Sequence, residues 1–477
     1  MISKKLFQIL FYITMCFIIL QDSAILVGKQ LLYIAPFFIV FTIGLYGILC
    51  STKFLTLTIN LYKKTPIKFM IFFVVYLLST SFLHGDIYTS LIITLKIILI
   101  FCLTVLPSIL FAAVFIPRII SYAKILKIFI FSSFFILIYG IVDYIYQLIF
   151  IKQFPLSYIF CTKKFIGVFI HDSQWINGML QRASSIFFEP SFFATFIFLF
   201  LPLAYILCKS KIQVLKNQKI DFCIKISLLI LFWVCLFCTK SPIYTVFCLV
   251  YILIFFRKEI LKLLLKFLLP ALIFSSIIIF SFLAYLQELP ENTVLSRINN
   301  VVLSMGNMES LISVEDSLAT RILSTVNTYQ AFTKVPVIGC GYGNTSNIMY
   351  RQYRVTKTPI SQEIFDNLYF RDNVGHSPNI FWGMLLQTGI IGTTLLYLFF
   401  IKTIYLANKI KKSFIYKDRL LLEILIFVAI NYIIISFYWS IETYPMMWFI
   451  FGILNSYILT YKLQVKKLKQ IQGVYNE

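Results

Sequence analysis

Runs of about twenty apolar residues recur along this chain, each ended by a short polar and mostly basic segment. A helix of about twenty apolar residues crosses a hydrocarbon layer of about 30 Å, so every run predicts a membrane-spanning helix. We place twelve, at roughly 6–21, 31–50, 67–83, 87–106, 128–150, 191–208, 226–239, 242–256, 267–286, 379–401, 420–438 and 445–461. Those at 226–239 and 242–256 are short, as expected of tilted or partly interfacial helices. One stretch breaks the rhythm. From Glu288 to Pro378 the chain is polar for about ninety residues, and it re-enters an apolar run through His376-Ser377-Pro378-Asn379. The chain thus divides into nine helices at 1–286, with an outer loop at 151–190, a large loop at 287–378, and three helices with a basic tail at 379–477. The expected fold class is an all-α integral membrane protein with about twelve transmembrane helices and one large extracytoplasmic loop.

Composition places the chain in the same class: 60% of its 477 residues are hydrophobic and 13% charged, with a mean hydropathy of +0.90. A net charge of +23 would suggest nucleic acid in a soluble protein, but here the placement of the charges explains it. With both termini cytoplasmic, roughly two-thirds of the 42 Lys and Arg residues fall in inside segments, as the positive-inside rule requires. That orients the large loop away from the cytoplasm and leaves membrane lipids, not nucleic acid, as the general partner. The first apolar stretch lacks a small-residue cleavage site and predicts a retained signal anchor. Most of the ten Cys lie in or near spans; Cys161 and Cys340 sit in outer loops, where they could pair. Cys235 and Cys238 have no His or second Cys pair nearby, so they do not read as a metal site.

The two outer loops carry the polar chemistry. In the first, Lys163, Lys164, His171, Asp172, Trp175 and Arg182 run directly into the sixth span. In the second, Ile322, Leu323, Val326, Tyr329 and Phe332 recur at helical spacing and predict an amphipathic helix, lying on the membrane or packed against the bundle. Val335-Pro336 ends it, and Gly339, Gly341 and Gly343 predict a tight turn whose main-chain N–H groups could approach an anion.

Four patches are candidates for function, each with a plainer reading beside it. Arg182 to Ser191, with Glu189-Pro190-Ser191 at its end, is a cation and a carboxylate flanking a span, or an interfacial anchor pair. Thr239-Lys240-Ser241-Pro242 is a cation in a short outer turn, or a snorkelling lysine. Arg321 with Pro336, Gly339, Gly341 and Gly343 is a cation beside a glycine turn, or solvated charge and an ordinary bend. His376, one of three His in the chain, is a general base at a span boundary or a loop residue without a role; Gly389 and Gly392 beyond it suit close helix packing. Inside the spans, Lys96 and Asp143 form a buried structural pair or a transporter's midplane site.

In this order and spacing the patches resemble the O-antigen polymerase and O-antigen ligase superfamily, over roughly residues 180 to 395. Members often have His where this chain has Pro378, and many have Arg where it has Lys240, which keeps the charge without the bidentate fork. The resemblance implies a GT-C-like membrane glycosyltransferase in the bacterial cytoplasmic (inner) membrane. It would transfer glycan from an undecaprenyl-diphosphate-linked oligosaccharide to a sugar hydroxyl on the outer face. In that setting Arg182, Lys240 and Arg321 would hold the diphosphate, and His376 or Glu189 would serve as base. Gly339, Gly341, Gly343 and Asn379 would position loop and substrate. No cofactor or metal is expected, because protein cations replace one. A flippase and a chain-length regulator are the implied protein partners. Glu189-Pro190-Ser191 and the loop aromatics Tyr342, Tyr350, Tyr353, Tyr369 and Phe370, which could stack on sugar rings, favour the polymerase over the ligase. A lipid-linked glycan flippase is the reading from a different class; it would be favoured by repeated halves, which this chain lacks.

Overall fold

The computed structural model describes residues 2–20, 24–27, 30–81, 91–150 without 93 and 96, 182–187, 190–210, 217–241, 244–250 without 249, 316–342, 345–356, 380–437 and 445–474, with 152, 154, 155 and 213 besides. These residues are almost wholly helical. Helix α1 (Ile2–Ile19) is followed by an antiparallel hairpin, β1 (Ala24–Val27) and β2 (Gln30–Tyr33), with Leu26 opposite Leu31. Then come α2 (Ile34–Leu49), α3 (Ser51–Lys64), α4 (Ile67–Ser81), α5 (Leu106–Phe115, preceded by a π-helical segment Ile98–Val105) and α6 (Tyr122–Phe150). The chain continues through α7 (Pro190–Lys209), α8 (Gln218–Cys238), α9 (Asp316–Phe332), α10 (Thr345–Thr356), α11 (Ile380–Ile410), α12 (Tyr416–Ser436) and α13 (Pro445–Val474).

Among the described residues six helices are long and apolar enough to cross a membrane, or up to seven if one bent pair is a single span. The protein is an integral membrane protein by this measure. The expected spans at 242–256 and 267–286 lie mostly or wholly outside the described residues. Several boundaries differ from the sequence reading, two of them in ways that change the architecture. The polar stretch after the second run is not a loop: α3 turns by 117° from α2 and buries Leu57 and Leu61, one helical turn apart, while Lys53, Thr56 and Lys63 stay exposed. The fourth run continues past 106 to Phe115, because Pro107 sits in the first turn of α5, where a missing N–H costs nothing.

The basic segments meet at one end. Gln8 donates to the Ile119 carbonyl (3.4 Å), Tyr122 shares a hydrogen bond with Ser456 (3.1 Å), Tyr457 donates to the Asp418 carbonyl (2.7 Å), and Lys462 Nζ donates to the Lys64 carbonyl (2.7 Å). The N-terminal part of α1, the end of α3, the 116–121 turn, the start of α12 and the basic half of α13 are therefore neighbours. Helices leaving that end carry the chain toward the opposite one, where the candidate patches fall. On α6, Asp143 stands about 30 Å along the axis from Tyr122, at 1.5 Å per residue. The apolar core between the ends is dense in aromatics: Phe400 packs within 6 Å of Trp448, Tyr432 and Phe451 by ring centroids.

Candidate functional site

The Arg182 segment is clamped between α6 and the end of α8. From the α8 side, Ala183 N donates to the Cys238 carbonyl (2.8 Å) and Arg182 Nε donates to the Thr239 carbonyl (3.1 Å). From the α6 side, the Asp143 carboxylate accepts from Ser184 N (3.1 Å), Ser184 Oγ (3.2 Å) and Ser185 N (3.1 Å), and Gln147 Nε2 closes the group at 3.0 Å. Ser185 Oγ adds a bond to the Ile136 carbonyl at 2.7 Å. Phe187 then packs on Phe193 and Phe196 at the start of α7. The next cation, Lys240, sits one residue beyond Thr239, in a turn held by Lys240 N to the Phe237 carbonyl (3.1 Å). Sequence residues far apart, Arg182 and the Lys240 turn, are thereby brought together, both half-buried.

Backbone strain marks the same place. Ser185 has φ of 53° and Lys240 has φ of 50°, left-handed values that cost a residue with a Cβ about 1–2 kcal/mol. They persist because the hydrogen bonds around them leave no alternative, a pattern typical of functional sites.

The glycine turn is built differently from the expectation. Helix α11 is broken at Gly389 (φ 63°, ψ −169°), and the 335–341 turn fills the break. Cys340 N donates to the Leu386 carbonyl (2.8 Å), Gly341 N to the Gln387 carbonyl (3.0 Å), and Ile390 N to the Pro336 carbonyl (2.9 Å). Gly339 N bonds Val335 O at 3.1 Å within the turn. The amides of Cys340 and Gly341 thus satisfy carbonyls exposed by the break, that of Gly339 serves a carbonyl of its own turn, and the three do not form an anion nest; such pairing is what a helix opened within a span requires. Tyr76 of α4 staples both sides, its hydroxyl lying 2.9 Å from Thr388 O and 3.2 Å from Ile338 O. A Cβ on Gly339 would lie 2.5 Å from Gly389 N, so backbone meets backbone directly. Gly392 serves packing as expected: a Cβ there would meet Thr388 at 2.5 Å and Tyr76 at 2.8 Å. Tyr342 carries the turn onto Phe101 in the π-helical segment, with centroids 6.0 Å apart.

Helix α9 forms where the pattern placed it, with a second face that the apolar stripe did not reveal. Ile322, Val326 and Tyr329 are exposed, whereas Thr320, Arg321, Ser324, Asn327 and Thr328 are buried. The buried polar face is met by α10: Tyr353 bonds Ser324 (3.1 Å), Thr356 bonds Asn327 (3.0 Å), and Gln352 bridges Gln330 (2.8 Å) and Lys334 (2.7 Å). Arg321 sits in this face at 8% exposure. Burial pushes the Tyr353 phenol up to about 12, against the opposing pull of its Ser324 hydrogen bond. Tyr342 and Tyr353 are buried in protein contacts and do not offer the open sugar platform expected of them, while the half-buried Tyr350 carries the Arg354 guanidinium 4.9 Å over its ring.

Glu189, Gly343, Tyr369, Phe370, His376 and Asn379 lie outside the described residues, as do Lys96 and Cys161. Sequence reasoning passed over Gln147 and, at the glycine turn, Tyr76, and it gave Ser184 and Ser185 no role within the Arg182 patch; Asp143 it considered only together with Lys96. Asp143 had a signal, a lone carboxylate in an apolar run, but its partners 41 and 42 positions away did not.

Residues 227–397 match the family described as O-antigen ligase. The match runs from α8 through the Lys240 turn, Arg321 and the glycine turn to the Gly389 break and beyond it in α11. Over this stretch, about a third of the chain, the match supports the resemblance to the O-antigen ligase/polymerase superfamily. Arg182 lies before the matched stretch and is tied into it by its bond to Thr239. No curated protein matches the chain.

Proposed function

We propose that this protein polymerises undecaprenyl-diphosphate-linked oligosaccharide repeat units on the outer face of a bacterial cytoplasmic membrane. The observation that carries the reading is the junction of Arg182 with the Lys240 turn, at the end of the bundle opposite the basic segments, within and beside the O-antigen ligase match. An acceptor sugar hydroxyl attacks the anomeric carbon of the donor, the bond from that carbon to the lipid diphosphate breaks, and the hydroxyl proton passes to His376 or Glu189. Negative charge grows on the departing diphosphate, and Arg182, Lys240 and Arg321 stabilise it without a metal. Because the amides of Ser184, Ser185, Cys340 and Gly341 already serve protein acceptors, the cationic side chains carry this task. Asn379 and the glycine turn position the substrate, and a flippase and a chain-length regulator act beside the enzyme.

The family description favours a second reading, transfer of finished polymer to an acceptor lipid or protein by a ligase. Deleting the gene separates these readings. Surface glycan reduced to single repeat units supports the polymerase, finished chains held on the carrier lipid support the ligase, and single units trapped on the cytoplasmic side would mean a flippase. Unchanged pools in all three would overturn the glycan assignment. In the polymerase, Arg182→Ala lowers kcat by about 10²–10³-fold, the usual loss of one charge-stabilising donor; unchanged polymer length and yield at normal protein level would remove Arg182 from the clamp.

A further inference from the structure

We propose that Asp143 is the positioning residue of Arg182, an inference that rests on the clamp role just given to that arginine. Asp143 is a fully buried carboxylate on α6, and no exposed surface explains its presence in an apolar helix. A buried carboxylate is tolerated only where several donors converge on it. Four do: Gln147 Nε2, Ser184 N, Ser184 Oγ and Ser185 N, at 3.0 to 3.2 Å. Three of the four belong to the two serines that follow Arg182 by two and three residues. Asp143 thus fixes the backbone from which the guanidinium projects, while the Cys238 and Thr239 carbonyls fix the other side.

The face of α6 is shaped for this purpose. Ile136, Gly140, Asp143 and Gln147 follow one another at helical spacing on one stripe. A Cβ on Gly140 would lie 2.5 Å from the Phe193 ring and 3.4 Å from Ser185 Cβ, so the glycine lets the serine segment lie against the helix. The left-handed Ser185 is the cost of turning both serine amides toward one oxygen. Without that oxygen the segment has no reason to hold the strained turn, and Arg182 loses its direction. Asp143 acts through Ser184 and Ser185, so its effect appears in the same step that Arg182 serves.

A double-mutant cycle on the purified full-length protein, with lipid-linked repeat unit as donor, tests this. Asp143→Ala lowers kcat about 10–100-fold, and adding Arg182→Ala lowers it no further than Arg182→Ala alone. Asp143→Asn covers the case in which the alanine variant does not fold. Its oxygen still faces the serines, and its amide can turn to Gln147 Oε1, a buried atom otherwise lacking a partner among the described residues. It loses kcat less than the alanine, and its loss also disappears in the Arg182→Ala background. Losses that multiply in the double variants would mean that Asp143 only holds the bundle together, and undiminished kcat in Asp143→Ala would do the same. If Arg182→Ala itself leaves kcat unchanged, the clamp and this inference fall together; if only the Asp143 variants are silent, the clamp stands and the inference falls.

Discussion

Replacing Gly389 by alanine should release the glycine turn from α11 and expose Cys340. The backbone at Gly389 has φ 63° and ψ −169°, a region that only glycine enters readily and that costs other residues about 1–3 kcal/mol. A Cβ there would lie 2.1 Å from the Val337 oxygen and 2.4 Å from its carbon, so the turn must also move away. Three main-chain bonds of ordinary length hold it: Cys340 N to Leu386 O, Gly341 N to Gln387 O and Ile390 N to Pro336 O. At about 0.5–1.5 kcal/mol each they contribute roughly 2–4 kcal/mol, comparable to strain and overlap combined. The docked state is then no longer favoured. Cys340 reports the change, because it is buried and its thiol is pushed by that burial from 9.0 up to about 12. A return toward the ordinary value raises the thiolate fraction at pH 7 about a thousandfold. Maleimide labelling, with the other cysteines replaced, should be slow at Gly389 and fast at Gly389→Ala, with loss of polymer. Equal labelling rates, with polymer length unchanged, would refute the account of the turn as a plug in a broken helix.

Two further outcomes follow from neighbouring contacts. Tyr76→Phe removes the hydroxyl shared by Thr388 O and Ile338 O, costs about 1–2 kcal/mol, and should raise Cys340 labelling to a rate between wild type and Gly389→Ala. Tyr353 favours its neutral form when folded, so its contribution to the α9–α10 pairing is complete below its ordinary value of 10.0 and is lost as pH rises toward about 12. Tyr353→Phe should lower resistance of the loop to protease by about 1 kcal/mol at pH 8 and narrow the further loss seen in wild type by pH 11; an identical loss in both proteins would show that Tyr353 is not the titrating group.

Much of the architecture was readable one segment at a time. Apolar runs located the helices, and the stripe of Ile322, Leu323, Val326, Tyr329 and Phe332 located α9. What lay hidden was the second face of that helix, since Thr320, Ser324 and Asn327 look like solvated residues until α10 covers them. The glycine turn was legible as a turn, but its amides looked available for an anion, and only the break at Gly389 shows what they serve. Likewise α3 read only as a short basic segment between apolar runs because its apolarity is low, although Leu57 and Leu61 give it one buried edge.

The amino-acid sequence by itself determined that this chain has the character of a membrane protein, where most of its described apolar helices lie, which segments carry the basic residues, and in what order the candidate cations occur. Those properties are local sums of hydrophobicity and charge, which each segment expresses without its neighbours. Only the tertiary structure decided that Arg182 reaches the Lys240 turn, that Asp143 holds Ser184 and Ser185, and that Tyr76 closes over Thr388, 312 positions away. A buried polar group takes whichever partner the packed helices bring within about 3 Å, and no pattern along the chain specifies that choice.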